Sequence, residues 1–311
     1  MRIAIVGANA PHRSEDAWAR AARSLGHNAE VFDVLRWTRR LGRLSIPFLV
    51  GSIERYQPDF LLFTRHATRL GTDSLRSIVA GRRSAVWYLD AETYPELIEL
   101  ARISGTLYLT SPDLIGPCRN QGIPAVRFLP QGVDPDNDFP SPVHRPGDRC
   151  DVSFVGSGQY PHRWPILAAV AEVAALQIRG PGWEGAPPGL PVAGGPVHGE
   201  VIAGAAVSLG ANALPSQDHG LASASNRMWK VLGCGGAYLG RHVDGIQTLA
   251  RHEEHCCWYR SIDDALEQLR ALLDDPDRRR AMAERGRRHA LAHHTYASRL
   301  SLLLAGEEFP I

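Results

Sequence analysis

Short apolar runs alternate with stretches of helical period along the whole chain. The first run, residues 2–6, ends at Gly7, after which Trp18, Ala21, Ala22 and Leu25 recur at i, i+3, i+4 and i+7 before Gly26. That spacing predicts a strand, a loop and a helix closed by glycine. Further apolar runs near 29–32, 60–63, 85–89, 106–109 and 126–129 predict strands with helices between them, and Ser111-Pro112 predicts an N-cap followed by a first-turn proline. Strands alternating with helices predict a parallel sheet covered on both faces, an α/β domain.

The pattern breaks at residues 130–149, a proline-rich, charged and weakly apolar segment that reads as a domain boundary. It then restarts. Residues 151–155 predict a strand running into Gly156-Ser157-Gly158, with Arg163 ahead of an alanine- and leucine-rich helix at 166–175. Residues 176–178 and 207–209 read as strands, and 180–195, rich in glycine and proline, as a loop. Asn212 falls at the carboxyl end of its strand, followed by the polar loop Ser216-Gln217-Asp218-His219-Gly220. Ser261 with Asp264 predicts a capping box ahead of a helix faced by Leu266, Leu269 and Leu273, and Asp275-Pro276 opens another helix. The arginine clusters 278–280 and 285–288 on that helix read as solvated faces; contact with an anionic membrane surface or a lipid-diphosphate acceptor is the alternative.

Residues 223–240 carry the strongest chemical signal. Small hydroxyl and amide residues through Ser225 and Asn226 suit a helix N-terminus. Met228, Val231 and Leu232 give the helix face, glycines 233–236 the stop, and 237–239 a buried strand. A capped N-terminus carrying Arg227 offers free N–H groups, the positive dipole end and a guanidinium fork, a combination that suits a diphosphate; an ordinary helix-to-strand corner with a surface arginine is the plainer reading. The small-residue loop 156–158 with Arg163 offers a second close approach for phosphate, or a plain tight turn.

In the first half, the loops after strands gather at the carboxyl edge of a parallel sheet, where such sheets bind ligands. These are 7–12, Thr64-Arg65-His66 and Asp90-Ala91-Glu92. Gly7 lacks the glycine-x-glycine-x-x-glycine spacing of a dinucleotide loop, so an acceptor pocket is the simpler use. Asp90 or His12 could accept a proton from an acceptor hydroxyl, or serve only as a helix cap and a solvated loop residue.

Asn226-Arg227-x-Trp229, followed by Cys234-Gly235-Gly236 and an apolar strand, resembles the donor-binding segment of CgeB-like, spore-maturation type bacterial glycosyltransferases. The likeness extends to His293-His294-Thr295-Tyr296, similar to that family's terminal-helix signature, and covers about the last hundred residues well. It implies a GT-B fold, two Rossmann-like domains facing each other across a cleft. The N-terminal acceptor-side domain would be 1–139 and the nucleotide-sugar domain 140–294, with 295–311 a helix returning to the first domain. The implied activity is transfer of a sugar from a nucleotide-diphosphate sugar, a UDP-sugar first, to an acceptor hydroxyl of a saccharide, small molecule or lipid-linked group. The implied donor contacts are Gly156, Ser157, Gly158, Arg163, Asn212, Asp218, Ser225, Asn226, Arg227 and Lys230, with His219 beside the sugar. Retaining enzymes of this fold often carry two glutamates eight residues apart; Ala222 and Lys230 stand at those positions, and a lysine accepts no hydrogen bond from ribose. Retention and inversion therefore stay open, as do a catalytically silent nucleotide-sugar-binding module and a sugar-nucleotide epimerase.

Composition narrows this little. With 311 residues the chain holds two domains, and a net charge of +1 gives no global field for nucleic acid. Five cysteines without paired or zinc spacing fit reduced thiols in the cytoplasm. No apolar run is long enough to span a bilayer and no leader pattern opens the sequence. No Asp-x-Asp motif stands at a strand end, which points to donor binding without a metal and without a tightly bound cofactor.

Overall fold

The computed structural model describes residues 1–10, 13–90, 92–144, 147, 149–184, 192–193, 198–212, 221 and 226–310. The chain forms two compact units, Met1–Gln131 with Tyr296–Ile311, and Gly132–Thr295.

The first unit contains β1 (Arg2–Gly7), β2 (Asn28–Asp33), β3 (Phe60–Phe63), β4 (Arg83–Tyr88), β5 (Thr106–Leu109) and β6 (Ala125–Phe128). They form one parallel sheet in the order β2-β1-β3-β4-β5-β6. Its helices are α1 (Ser14–Ser24), α2 (Val34–Leu41), α3 (Ile46–Tyr56), α4 (Thr72–Val79), α5 (Pro95–Ser104) and α6 (Ile115–Asn120). The second unit contains β7 (Cys150–Val155), α7 (Trp164–Val173), β8 (Leu176–Arg179), β9 (Val192–Ala193), α8 (His198–Gly204) and β10 (Ala205–Gly210). After these come α9 (Arg227–Gly233), β11 (Tyr238–Arg241), β12 (Cys257–Tyr259), α10 (Ile262–Asp274) and α11 (Pro276–His293). Its parallel sheet runs β12-β11-β10-β7-β8-β9. The last helix, α12 (Tyr296–Ala305), belongs to the first unit and packs on α1.

Central strands such as β1 and β3 are buried on two faces and are almost wholly apolar, whereas β2 and β6 at the ends of the first sheet alternate buried with more exposed positions. In β1, Ile3 and Ile5 face a layer with Trp18 of α1 and Leu300 and Leu303 of α12, while Ala4 and Val6 face Leu49, Ile53 and Leu75. Trp18 stacks on Trp87 with centroids 4.5 Å apart, and Tyr296 meets Trp87 edge-on. Arg299 is fully buried and donates through Nε to the Pro130 carbonyl while lying over the Phe309 ring.

Every run predicted as a strand is one. β9 lies inside the stretch 180–195 expected to be loop, and β12 and the short α8 carried no clear signal. Ser261 caps α10 by accepting from Asp264 N, whose carboxylate accepts in turn from Arg260 N, and Asp275 caps α11 through Arg278 N. Ser111 makes no side-chain cap, because a single 3-10 turn, Pro112–Leu114, intervenes before α6.

The second unit begins inside the proline-rich stretch, and Val133, Asp134 and Asp138 are buried in it. Val133 N donates to His294 O at 2.7 Å and Val133 bridges Thr295, so the chain enters and leaves this unit side by side. His294 stacks on Trp229 at 4.4 Å, and its Nε2 lies 3.0 Å from His289 Nε2. His289 stacks in turn on His255 at 3.8 Å.

Burial holds the pKa of both His255 and His289 below the ordinary histidine value, with neighbouring imidazoles adding to the effect; the Glu254 carboxylate opposes it at both. The unfolded chain therefore binds protons near pH 6.5 that the folded unit does not accept. Stability is expected to be full above about pH 7 and to fall as pH drops through about 6.5 toward the lowered folded values. Chemical denaturation between about pH 7.5 and pH 5.5 checks this. His255→Gln and His289→Gln should each flatten the dependence, and a flat wild-type profile would refute the role of the stack.

Candidate functional site

In an open parallel sheet the crevice lies where strand order reverses, at the carboxyl ends of the strands. In the second unit that point falls between β7 and β10, which pair in parallel and share a Ser153–Ser208 hydroxyl hydrogen bond of 3.0 Å. Two arginines converge on it. Arg227 donates from Nε to Val155 O at 2.5 Å and from Nη1 to Ala211 O at 3.2 Å, bridging the two strand ends. Arg163 donates from Nη1 to Ser157 O at 2.8 Å and from Nε to Asn212 O at 3.2 Å. The guanidiniums lie over aromatic rings, Arg227 over Phe154 and Arg163 over Tyr160, each 4.5 Å from the centroid. Arg163 is 5% exposed and Arg227 8%. Burial, and then the charge of Arg227, hold the Arg163 pKa down to about 10; burial lowers that of Arg227 as well. The Asn212 side-chain amide nitrogen is buried without a hydrogen-bond partner, as is Asn226 Oδ1. The arrangement is a cationic, donor-rich strand edge.

Several sequence expectations change in detail. Arg227 is not a surface residue on a capped helix: Asn226 has helical dihedrals and makes no cap bond, and the Arg227 guanidinium turns inward between the strands. The N–H groups of Gly156 and Gly158 do not stand open for a phosphate; they donate to Arg179 O and Pro181 O. Glycine is needed at both for packing, since a Cβ would meet Arg227 Nη2 at Gly156 and the Gly182 carbonyl at Gly158. Ser157, between them, is half-buried and takes Gln159 N on its hydroxyl. Lys230 faces Asp138 at 3.4 Å, a structural contact, and burial raises the Asp138 pKa against the pull of that ammonium. The run Asp134-x-Asp136-x-Asp138 forms a self-bonded turn, with Asp134 accepting from Asp136 N and Asn137 Nδ2. Among the described residues no group of His, Cys, Asp and Glu is arranged to hold a metal ion. Asp218, His219 and Ser225 lie outside the described residues, as does His12.

In the first unit the order reverses between β1 and β3, and a cavity of about 200 Å³ opens there. Arg13, Glu15, Thr64, Arg65, His66 and Asp90 line it together. Of the loops expected to gather, 64–66 meets Asp90, Arg65 Nη1 pairing with Asp90 Oδ2 at 2.6 Å, and Arg13 Nη1, just before α1, lies 3.4 Å from His66 Nε2. Asp90 is half exposed. Burial and then the charges of Arg65, Arg13, Arg69 and Arg39 push the His66 pKa down to about 4, so this imidazole is neutral at physiological pH. Glu15 is the residue the sequence reading missed. It is buried and accepts from Ala8 N at 3.2 Å, and Gly7 leaves the space that Glu15 and the Thr64 hydroxyl occupy. Thr64 Oγ1 is buried without a hydrogen-bond partner. An acidic residue in a first helical turn is ordinary, so only its burial at this edge marks Glu15 out.

Residues 163–305 match a family model described as glycosyl transferase-like. No curated protein sequence matches the chain. Solved structures match over the whole length. HepE from Anabaena, in complex with UDP-glucose, is 12% identical with a TM-score of 0.71, covering 98% of this chain and 99% of that one. Sucrose-phosphate synthase from Thermosynechococcus elongatus is 14% identical with a TM-score of 0.69, covering 98% of each. BGT of phage T4, in complex with UDP and Mn2+, is 11% identical with a TM-score of 0.65 and the same coverage. The fold is that of GT-B glycosyltransferases, two Rossmann-like units.

Because Arg227 bridges two strand ends, Arg227→Ala is expected to destabilise the protein by about 2–4 kcal/mol, leaving buried carbonyls without that donor. The melting temperature should fall by roughly 5–15 °C. Arg227→Lys should recover little of this, since one ammonium cannot fork across both carbonyls. An unchanged melting temperature for Arg227→Ala would refute the bridge.

Proposed function

We propose that the protein is a glycosyltransferase that moves a sugar from a nucleotide-diphosphate sugar, a UDP-sugar first, to an acceptor hydroxyl in the cytoplasm. The observation that carries this reading is the pair of buried guanidiniums at the β7/β10 edge, on a fold whose solved neighbours include complexes with UDP and UDP-glucose. Two like charges held close in a buried place repel, and a bound dianion relieves that repulsion. Arg163, Arg227 and the unsatisfied Asn212 amide would then stabilise charge growing on the leaving diphosphate. The glycine loop contributes by leaving Arg227 its place rather than by cradling phosphate, and Lys230 by ordering Asp138.

The first unit's cavity suits an acceptor. Asp90, oriented by Arg65, and Glu15, oriented by Ala8 N, are carboxylates able to take the hydroxyl proton, while the neutral His66 and the Thr64 hydroxyl can hold neighbouring oxygens. His12 and His219 remain candidates for the same proton transfer and for the donor sugar. The CgeB-like subtype rests on the motifs at 226–236 and 293–296. A silent binding module or an epimerase would leave the acceptor cavity without a use.

Product assays with a panel of nucleotide sugars and acceptors test the reading: transfer to an acceptor supports it, and binding without turnover, or epimerised donor alone, refutes it. Asp90→Asn and Glu15→Gln should separate the base from its neighbour, the base variant losing about 10²–10⁴-fold in turnover. Calorimetric affinity for UDP is expected to survive a chelator, because the proposed diphosphate contacts are guanidinium and amide groups. Loss of most binding in chelator would show that a metal carries the diphosphate instead.

A further inference from the structure

Charge is nearly balanced over the chain, yet residues 34–53 hold Arg36, Arg39, Arg40 and Arg43 and no acidic residue. All four arginines are exposed, and none forms an ion pair or side-chain hydrogen bond among the described residues. The same stretch, α2 and α3 with the 3-10 turn Gly42–Ser45 between them, exposes Leu41 (51%), Leu44 (86%) and Phe48 (58%). These are three of the largest exposed apolar residues in the described chain, within eight positions. Trp37 is half-buried beneath them, its ring 5.5 Å from that of Phe48. By contrast, the arginines of α11 are engaged at home. Arg278 pairs with Glu253 and Arg280 with Asp277, Arg285 donates to Glu254 O, and Arg287 donates to Gly233 O.

We propose that the α2–α3 hairpin is a docking surface for an anionic lipid bilayer, inserting Leu41, Leu44 and Phe48 among the acyl chains while the four arginines meet headgroup phosphates. Exposed apolar side chains interleaved along the chain with arginines match the two layers of a membrane interface, where apolar area and attraction to anionic lipid add. Exposed leucines would contribute nothing to a nucleic acid, which is read by charge and by stacking. α2 also packs against the turn Arg65–Leu70 that carries His66, so a docked surface lies next to the cavity of the first unit. The inference does not depend on the transferase reading, because docking is measured with neither donor nor acceptor present.

Co-sedimentation of the full chain with vesicles tests it, comparing phosphatidylcholine containing about 30% phosphatidylglycerol with phosphatidylcholine alone. Binding is expected on the anionic vesicles, at least ~10-fold tighter than on neutral ones, and weakened by salt. Leu44→Ser/Phe48→Ser and Arg39→Glu/Arg40→Glu/Arg43→Glu should each remove it at unchanged melting temperature, while Arg280→Glu/Arg288→Glu on α11 should not. Absence of binding at low salt would overturn the proposal, as would binding that both hairpin variants retain. A wild-type dimer that Leu44→Ser/Phe48→Ser converts to monomer, without vesicle binding, would instead assign the face to a second copy of the chain.

Discussion

A guanidinium cannot be buried without hydrogen-bond acceptors, and the second unit meets that demand with the carbonyls at the ends of its own central strands. Arg227 joins Val155 to Ala211 across the β7–β10 pair, and Arg163 joins Ser157 to Asn212 one step further out. Much else follows from these forks. A side chain at residue 156 would push against Arg227 Nη2 and the Phe154 ring, and Phe154 offers its face to that charge. The Trp183 and Trp164 indole N–H groups hold the carbonyls of Gly156 and Gly158, so the loop between strand and helix is fixed from both sides. Tyr238, buried beside Arg227, has its pKa pushed up to about 12 by burial, partly offset by that arginine. Positive charge is thereby concentrated at the edge where a parallel sheet binds ligands, and kept there by contacts that resist rearrangement.

The first unit applies the same topological rule with a different chemistry. Its reversal point brings together Glu15 and Asp90 with Arg13, Arg65 and a histidine that burial, and then the surrounding arginines, keep neutral. Mixed charge lines this small cavity, whereas the second unit's edge is dominated by the two guanidiniums and the Asn212 amide. The two sheets are otherwise alike, so the contrast between their edges lies in the side chains.

Two motifs that look independent in the sequence turn out to be one structural device. Trp229, the aromatic of the Asn-Arg-x-aromatic stretch, stacks on His294 of the terminal His-His-Thr-Tyr, and the His294 carbonyl takes Val133 N where the chain enters the second unit. Gly132 is constrained by the same junction, because a Cβ there would approach the His294 carbonyl within 2.6 Å. The motif pair thus ties the entry and exit of the second unit to the helix that carries Arg227.

The alternation of apolar runs with helical periods was enough to establish two α/β sheets and to put 64–66 and Asp90 at one edge of the first, because each depends on local period and on strand direction alone. Arg163, Arg227 and Asn212 were also singled out, the arginines at or just before helix starts and Asn212 at a strand end. The direction in which the Arg227 side chain turns was not, since it depends on carbonyls 16 and 72 residues away. The partner of Lys230 was hidden for the same reason, lying 92 residues distant, and Glu15 became distinctive only once β1 and β3 lay side by side. Local spacing determined which elements form and which residues stand at their ends. Tertiary packing alone decided which of those residues are buried, what they face and whether their donors remain open, because burial and hydrogen-bond partnership are properties of neighbours that the chain brings together only when it folds.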